Sequence, residues 1–322
     1  MLTFLNKIFA FQRSVTVLYY HRVAELPHDP QCLTVTPTRF RDQMRWLKQK
    51  AAPISLEALV SALRGGQHLP RRGVVVTFDD GYADNIHAAL PILKESGIPT
   101  TVFVSSGLIG TSREFWWDDL ERILLRADHL PEALQINISG QNIACRAVTT
   151  ADRQRLYDLI LCTAKLLPVG SRETLLAGLA NWAGVGRDGR ETHRVLTEAE
   201  LRSLDAEPLI TVGAHTVNHP MLSVLPPEEQ EKEILGSKAA LEMMLGHAVN
   251  FFSYPFGQKA DFDNNSIEIC RNAGFACSFS ARKGLIRRTL SPDTLFELPR
   301  FCARNWEVPE FANNMNQWFA NY

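Results

Sequence analysis

Hydrophobic residues in this chain fall into short β-branched or aromatic runs that end on residues able to bind a metal or move a proton. Val74–Val75–Val76–Thr77–Phe78 stops at Asp79–Asp80–Gly81, and Val15–Thr16–Val17–Leu18–Tyr19–Tyr20 stops at His21. Later runs end at His215 with His219 behind it, at Tyr254–Pro255–Phe256–Gly257, and at Leu298–Pro299–Arg300. Apolar runs of about four to eight residues read as buried strands. Polar groups gathered at the C-terminal ends of several such strands are how barrel enzymes build a site.

Helical patterns lie between these strands. Phe40, Met44 and Leu47 recur at helical spacing within 38–50, behind a Thr36–Pro37 start signal. A second helix is expected over 55–63, with Ser55 as N-cap and Gly65–Gly66 as stop. A third is expected over 84–96, stopped by Gly97, before a strand at 100–105. Strands alternating with helices imply a mainly parallel sheet. From 111 to 207 the rhythm breaks: 115–126 and 151–167 read as helices, and 134–148 alternates around Ser139–Gly140 like a hairpin. That stretch is too long for a loop and reads as a mainly helical insertion subdomain within one domain spanning 1–322. The rhythm returns with strands near 210–212, 250–254, 275–279 and 296–301 and helices near 227–245 and 262–273, each helix closed by a glycine. About seven strand units favour an α/β barrel over an open doubly wound sheet.

Composition narrows the function. With 34 basic and 35 acidic residues among 322 the net charge is −1, and no dense basic run is present, so nucleic acid is not an expected partner. Cysteines 32, 145, 162, 270, 277 and 302 lack CxxC spacing, which favours reduced thiols in the cytoplasm. No apolar run approaches the ~20 residues needed to span a bilayer. Leu2, Phe4, Leu5, Ile8, Phe9 and Phe11 suit either a short amphipathic contact with the cytoplasmic membrane face or a first helix packed on the barrel. No cleavage site is evident there, and no protein partner is expected.

Adjacent residues at a strand end point in different directions, so one of Asp79 and Asp80 can bind a metal while the other stays free as a base. His215 and His219 share one face if their segment turns helically, and two His with one carboxylate form a known three-ligand set for catalytic Zn²⁺. The same set also suits Co, Ni or Fe. Paired Asp before Gly also serves as a turn, and a lone His-x-x-x-His pair is often a surface coincidence. Their joint occurrence after predicted strands favours chemistry.

These residues carry a resemblance to the polysaccharide deacetylase family, the NodB-homology or carbohydrate esterase 4 group. Thr77–Phe78–Asp79–Asp80–Gly81–Tyr82 looks like its first motif and His215–Thr216–Val217–Asn218–His219–Pro220 like its second. Tyr19–Tyr20–His21 resembles an N-terminal element of a bacterial exopolysaccharide deacetylase subgroup whose motifs occur in rearranged order. The likeness covers 15–105 and 209–301, leaving 111–207 outside. It implies a deformed (β/α)₇ TIM-like barrel and metal-dependent N-deacetylation of an amino sugar in a polysaccharide or lipid-linked glycan. By the same resemblance Asp80, His215 and His219 are the metal ligands and Asp79 is the base.

The third motif departs from the family: Phe251 and Phe252 stand where an Arg is usual, and only Ser253–Tyr254–Pro255–Phe256–Gly257 matches. Arg300 is the candidate replacement. No His follows His247 to serve as the usual general acid, so His21 is expected to take that role, protonated. The family implies the backbone N–H of Tyr254, beside Pro255, as oxyanion donor. Trp116, Trp117 and Trp306 are candidates for a sugar-stacking wall or acetyl pocket, against the ordinary packing role of Trp. Rival readings are a deformylase of a lipid-linked sugar and a catalytically silent glycan-binding protein that keeps the metal.

Overall fold

The computed structural model describes residues 14–65, 68–138, 140–287 and 292–321, so the apolar segment from Leu2 to Phe11 lies outside the described residues. Strands β1 (Ser14–Tyr20), β2 (Gly73–Phe78) and β3 (Thr100–Val104) are followed by a hairpin, β4 (Ala133–Ile138) and β5 (Gln141–Arg146). Strands β6 (Ile210–Ala214), β7 (Phe251–Ser253), β8 (Cys277–Phe279) and β9 (Phe301–Cys302) follow, and four further two-residue strands among the described residues lie at Arg22–Val23, Thr34–Val35, Ala52–Pro53 and Ile286–Arg287. The parallel sheet runs β8-β7-β6-β3-β2-β1 in space. Register is continuous where β1 meets β2, from Val15 opposite Gly73 to Tyr20 opposite Phe78.

Residues 298–302 join the two edges of this sheet. Leu298 bridges in parallel to Phe279 of β8, and β9 pairs in parallel with β1, Leu18 opposite Phe301. The segment is thus the seventh stave of the deformed (β/α)₇ barrel. Its regular strand is confined to Phe301–Cys302, shorter than the pattern over 296–301 predicts: Phe296 ends a 3₁₀ turn, and Leu298 makes only an isolated bridge.

Alternation along the strands sorts side chains between two cores. Val15 and Val17 of β1 and Val75 of β2 cluster with Phe103, Phe279 and Leu298 in the barrel interior. Leu18, Tyr20, Val74, Val76 and Phe78 pack outward with the surrounding helices. Continuing the odd-numbered phase past Val75 carries Thr77 and Asp79 toward the interior.

Helices α1 (Pro37–Lys50), α2 (Leu56–Leu63), α3 (Leu90–Ser96), α8 (Pro227–Leu245) and α9 (Asn264–Asn272) cover the sheet. Thr36 and Ser55 cap α1 and α2 through their hydroxyl oxygens, as their positions predict. Residues 85–89 form a π turn before α3, where a regular α-helix was expected. The insertion contains α4 (Trp116–Leu125), the hairpin, α5 (Thr150–Lys165), α6 (Val169–Ala183) and α7 (Glu198–Asp205). Sequence reading missed α6, α7 and the terminal α10 (Val308–Asn321). The capping box Thr197–Glu200 was a legible start for α7. In α6, Gly170 and Gly178 mask the pattern, and Leu175, Leu176, Leu179 and Ala180 are buried by tertiary packing.

Candidate active site

The turn after β2 sets the first carboxylates. Asp79 N–H donates to the Tyr20 carbonyl at 2.9 Å, and the chain then turns through left-handed conformations at Asp80 (φ 76°) and Gly81 (φ 86°). A non-glycine residue there costs on the order of 1–3 kcal/mol and persists only where its surroundings over-determine it. Here Ser105 N–H binds the Asp80 carbonyl at 3.1 Å and Leu196 N–H binds the Gly81 carbonyl at 3.0 Å. A Cβ on residue 81 would lie 2.8 Å from Val104, so glycine is required. The turn separates the two carboxylates, sending Asp80 toward the histidines.

His215 and His219 meet without a helix. The loop after β6 folds back through left-handed Thr216 (φ 64°) and His219 (φ 49°), which brings the two ring centroids to 4.9 Å. The helical turn expected from the spacing is therefore corrected: a strained loop does the work. His215 Nδ1 lies 2.6 Å from the Ser253 carbonyl, which assigns the proton to Nδ1 and leaves Nε2 a lone pair. The Nε2 atoms of His215 and His219 stand 3.6 and 3.5 Å from Asp80 Oδ1.

Asp80, His215 and His219 are all buried and offer ligand atoms within 4.8 Å of one another. Both Asp80 carboxylate oxygens are buried without a hydrogen-bond partner. An unpaired buried carboxylate is unfavourable, and burial together with neighbouring Asp79 pushes the Asp80 pKa well up. Burial pushes both imidazoles down, and Arg172 adds to the effect at His219. Tetrahedral Zn²⁺ with bonds of ~2.0–2.1 Å separates its ligand atoms by about 3.3 Å, near the spacing observed. A divalent cation thus fits this donor set, and among the described residues the Asp80 carboxylate has no hydrogen-bond donor.

Asp79 is bound by Arg300. Nη1 and Nη2 of Arg300 donate to Oδ1 and Oδ2 at 2.7 and 2.8 Å. The remaining N–H groups reach Thr77 Oγ1 at 3.2 Å, Ser253 Oγ at 2.7 Å and the Ser280 carbonyl at 3.0 Å. All five guanidinium donors are thereby used. Burial raises the Asp79 carboxyl, but the Arg300 charge and hydrogen bonds outweigh it and hold the pKa below the ordinary value.

Both carboxylates and both histidines line a cavity of about 350 Å³. His21 lines it too, beside Tyr19, as do Gln31, Leu33, Gln258 and Arg304. The insertion supplies Trp116, Trp117, Leu161, Cys162 and Lys165. Burial lowers the His21 pKa to about 4, against the pull of Asp79, which favours the neutral imidazole over the protonated form that the acid role expects. Trp117 meets the His219 ring edge-on at 4.7 Å, and its indole N–H donates to Tyr82 Oη at 2.9 Å. Sequence reading missed Gln31, Gln258, Lys165 and Arg304, which stand in no motif and reach the cavity only through loop and helix packing.

The family model for polysaccharide deacetylases matches residues 66–148 and 180–278, more than half of the chain. This protein belongs to the polysaccharide deacetylase family. Its matched spans reach into 111–207 from both sides, which corrects the expectation that the whole insertion lies outside the likeness; only the part around α5 and α6 does. A poly-β-1,6-N-acetyl-D-glucosamine N-deacetylase of Escherichia coli is 36% identical over 76 residues, covering 23% of this chain and 11% of that protein. One from Staphylococcus aureus is 29% identical over 112 residues, covering 31% of this chain and 38% of the other. The matches thus span well under half the length of these relatives.

Among solved structures, IcaB from Ammonifex degensii aligns with a TM-score of 0.61 at 20% identity, over 96% of this chain and 98% of that one. The Streptococcus pyogenes deacetylase PplD, in complex with acetate, gives 0.61 at 18% identity, over 94% and 98%. Likeness at these identities speaks for the shared deacetylase-family barrel.

Three residues expected in the site do not line its cavity. Tyr254 N–H donates to the Phe279 carbonyl at 3.0 Å, extending the β7–β8 ladder, and its hydroxyl bonds Ser278 and the Phe296 carbonyl. The Tyr254 ring stacks on Phe262 at 4.0 Å, so the whole residue is structural. Pro255 is absent from the cavity wall, which Phe256 lines instead. Trp306 leans on Trp318 of α10 with centroids 6.2 Å apart and also stands outside the wall. Packing against a helix that sequence reading did not foresee removed it from the cavity.

Proposed function

We propose that this protein is a metal-dependent N-deacetylase acting on an N-acetylated amino sugar in a glycan or glycan precursor. The observation that carries the reading is the convergence, in one cavity, of an orphaned Asp80 carboxylate and two imidazoles beside a separately ionised Asp79. Family membership and the printed activities of the relatives support the same chemistry. Asp80, His215 and His219 would hold the ion, with Zn²⁺ favoured by the donor set. When bound, it supplies Lewis acidity toward the amide carbonyl and lowers the pKa of water.

The chain's own residues do the rest. Asp79, kept ionised by Arg300, takes a proton from the attacking water. Since Tyr254 N–H is committed to the ladder and Pro255 has none, the Phe256 N–H at the cavity wall is the proposed oxyanion donor. With a lowered His21 pKa, the proton that Asp79 takes from water passes to His21 and from it to the amine nitrogen as the C–N bond breaks, so that His21 is the proposed carrier. Trp116 and Trp117 exclude water from the acyl group.

The test is acetate and formate release from a panel of N-acylated sugars, comparing metal-loaded wild type with Asp79→Asn. Acetate release that disappears in Asp79→Asn, with metal uptake unchanged, supports the reading. Formate alone moves it to a deformylase, and sugar binding without either product moves it to a glycan-binding protein.

A further inference from the structure

The loop that carries both histidine ligands is clamped between two buried charges. On one side Glu233 of α8 accepts from the N–H groups of Val217 and Asn218 at 3.0 and 2.8 Å, and from Asn218 Nδ2 at 2.7 Å. On the other, Arg172 of α6 donates from Nη2 to the Asn218 carbonyl at 2.8 Å and from Nη1 to the His219 carbonyl at 3.4 Å. Asn218 therefore has a carboxylate on its N–H and a guanidinium on its C=O. Such a pair of charge-assisted bonds is the kind of over-determination that the left-handed Thr216 and His219 require.

Arg172 is unusual for an arginine. It is 1% exposed, forms no ion pair among the described residues, and its Nε is buried without a partner. Its guanidinium lies over the Trp116 ring at 5.1 Å. A charge this costly to bury is spent on two backbone carbonyls of the ligand loop. It also comes from a stretch that the family model leaves unmatched, since neither 66–148 nor 180–278 includes residue 172.

We propose that Arg172 is a positioning residue for the metal centre: the insertion, through this one side chain, fixes the backbone on which His219 is carried. The proposal rests on the reading of Asp80, His215 and His219 as metal ligands. Groups that orient metal ligands typically change affinity by roughly 10–100-fold when removed. In Arg172→Met the carbonyls of residues 218 and 219 lose their donors, and the Zn²⁺ dissociation constant is expected to rise by that factor. Arg172→Lys keeps the charge but cannot span both carbonyls, and falls between the two.

The experiment is Zn²⁺ titration against a competing chromogenic chelator on wild type, Arg172→Met, Arg172→Lys and Asp80→Ala. Circular dichroism and metal-free melting check the fold, and the visible spectrum of Co²⁺-loaded protein reports the ligand geometry. A weakened dissociation constant, an altered Co²⁺ spectrum and an activity deficit that shrinks at high metal concentration support positioning. Should Arg172→Met not fold, Arg172→Lys reads the same quantity. Wild-type Zn²⁺ affinity in whichever variant folds overturns the proposal. Wild type that takes up no more Zn²⁺ than Asp80→Ala overturns the metal-centre reading itself, and this inference with it.

Discussion

Arg300 and Asp79, 221 positions apart in the chain, form a two-pronged ion pair at 2.7 and 2.8 Å inside the barrel. Arg300 sits between Leu298, which bridges to β8, and Phe301, which pairs with β1. Closing the barrel and orienting Asp79 are therefore one structural act. Arg300→Met should leave Asp79 buried without its partner, raising its carboxyl by roughly 1–3 pH units. The acid limb of the kcat/KM profile is expected to move up accordingly, with activity at neutral pH retained in part. The Asp79 carboxyl is depressed in the fold, so its stabilising contribution is full above the ordinary pKa near 3.8 and disappears as pH falls through the lower folded value. Acid denaturation of wild type and Arg300→Met, followed below pH 4, checks the second half; coincident curves would refute it.

Asp80 has the opposite sign. Its carboxyl is raised well above 3.8 by burial and by Asp79, so without metal it disfavours folding progressively as pH rises above that value. Asp80→Asn should stabilise the metal-free protein at pH 7, by roughly 1–2 kcal/mol, while abolishing any metal-induced rise in melting temperature. Melting curves with and without Zn²⁺ and chelator decide it. A less stable metal-free variant would mean that the carboxylate has a structural role.

His21→Ala should lower kcat by roughly 10²–10⁴-fold and leave KM nearly unchanged if this imidazole carries the leaving-group proton. Steady-state kinetics on the wild type and the variant read the split. A loss confined to KM would reduce His21 to a substrate contact.

The tryptophans separate packing from substrate contact. Trp306, set against Trp318, should on truncation to Ala cost stability of about 3–5 kcal/mol at most, with KM unchanged in the protein that remains folded. Lys165 bridges from α5 to Asp261 at 2.6 Å and lies over Phe256 at 4.4 Å on the cavity wall. Lys165→Met should raise KM several-fold with little effect on kcat, and should lower the melting temperature because buried Asp261 loses its cation. The two variants measured side by side test the assignment, and a KM effect in Trp306→Ala would reverse it.

The sequence by itself determined the strands, because alternation and β-branched runs are local properties of the chain. It also singled out Asp80, His215 and His219 as candidate metal ligands, because they stand in short motifs at strand ends. Tertiary structure alone decided how those residues meet. His215 and His219 converge through left-handed backbone at Thr216 and His219, held by Glu233 and Arg172, rather than through helical spacing. Tyr254 was lost to the site because its N–H was needed by the sheet, and Trp306 because α10 gave it a packing partner. Arg172, Lys165 and Gln258 carry no sequence signal, since a side chain's place on a cavity wall depends on how distant elements pack, which local pattern does not encode.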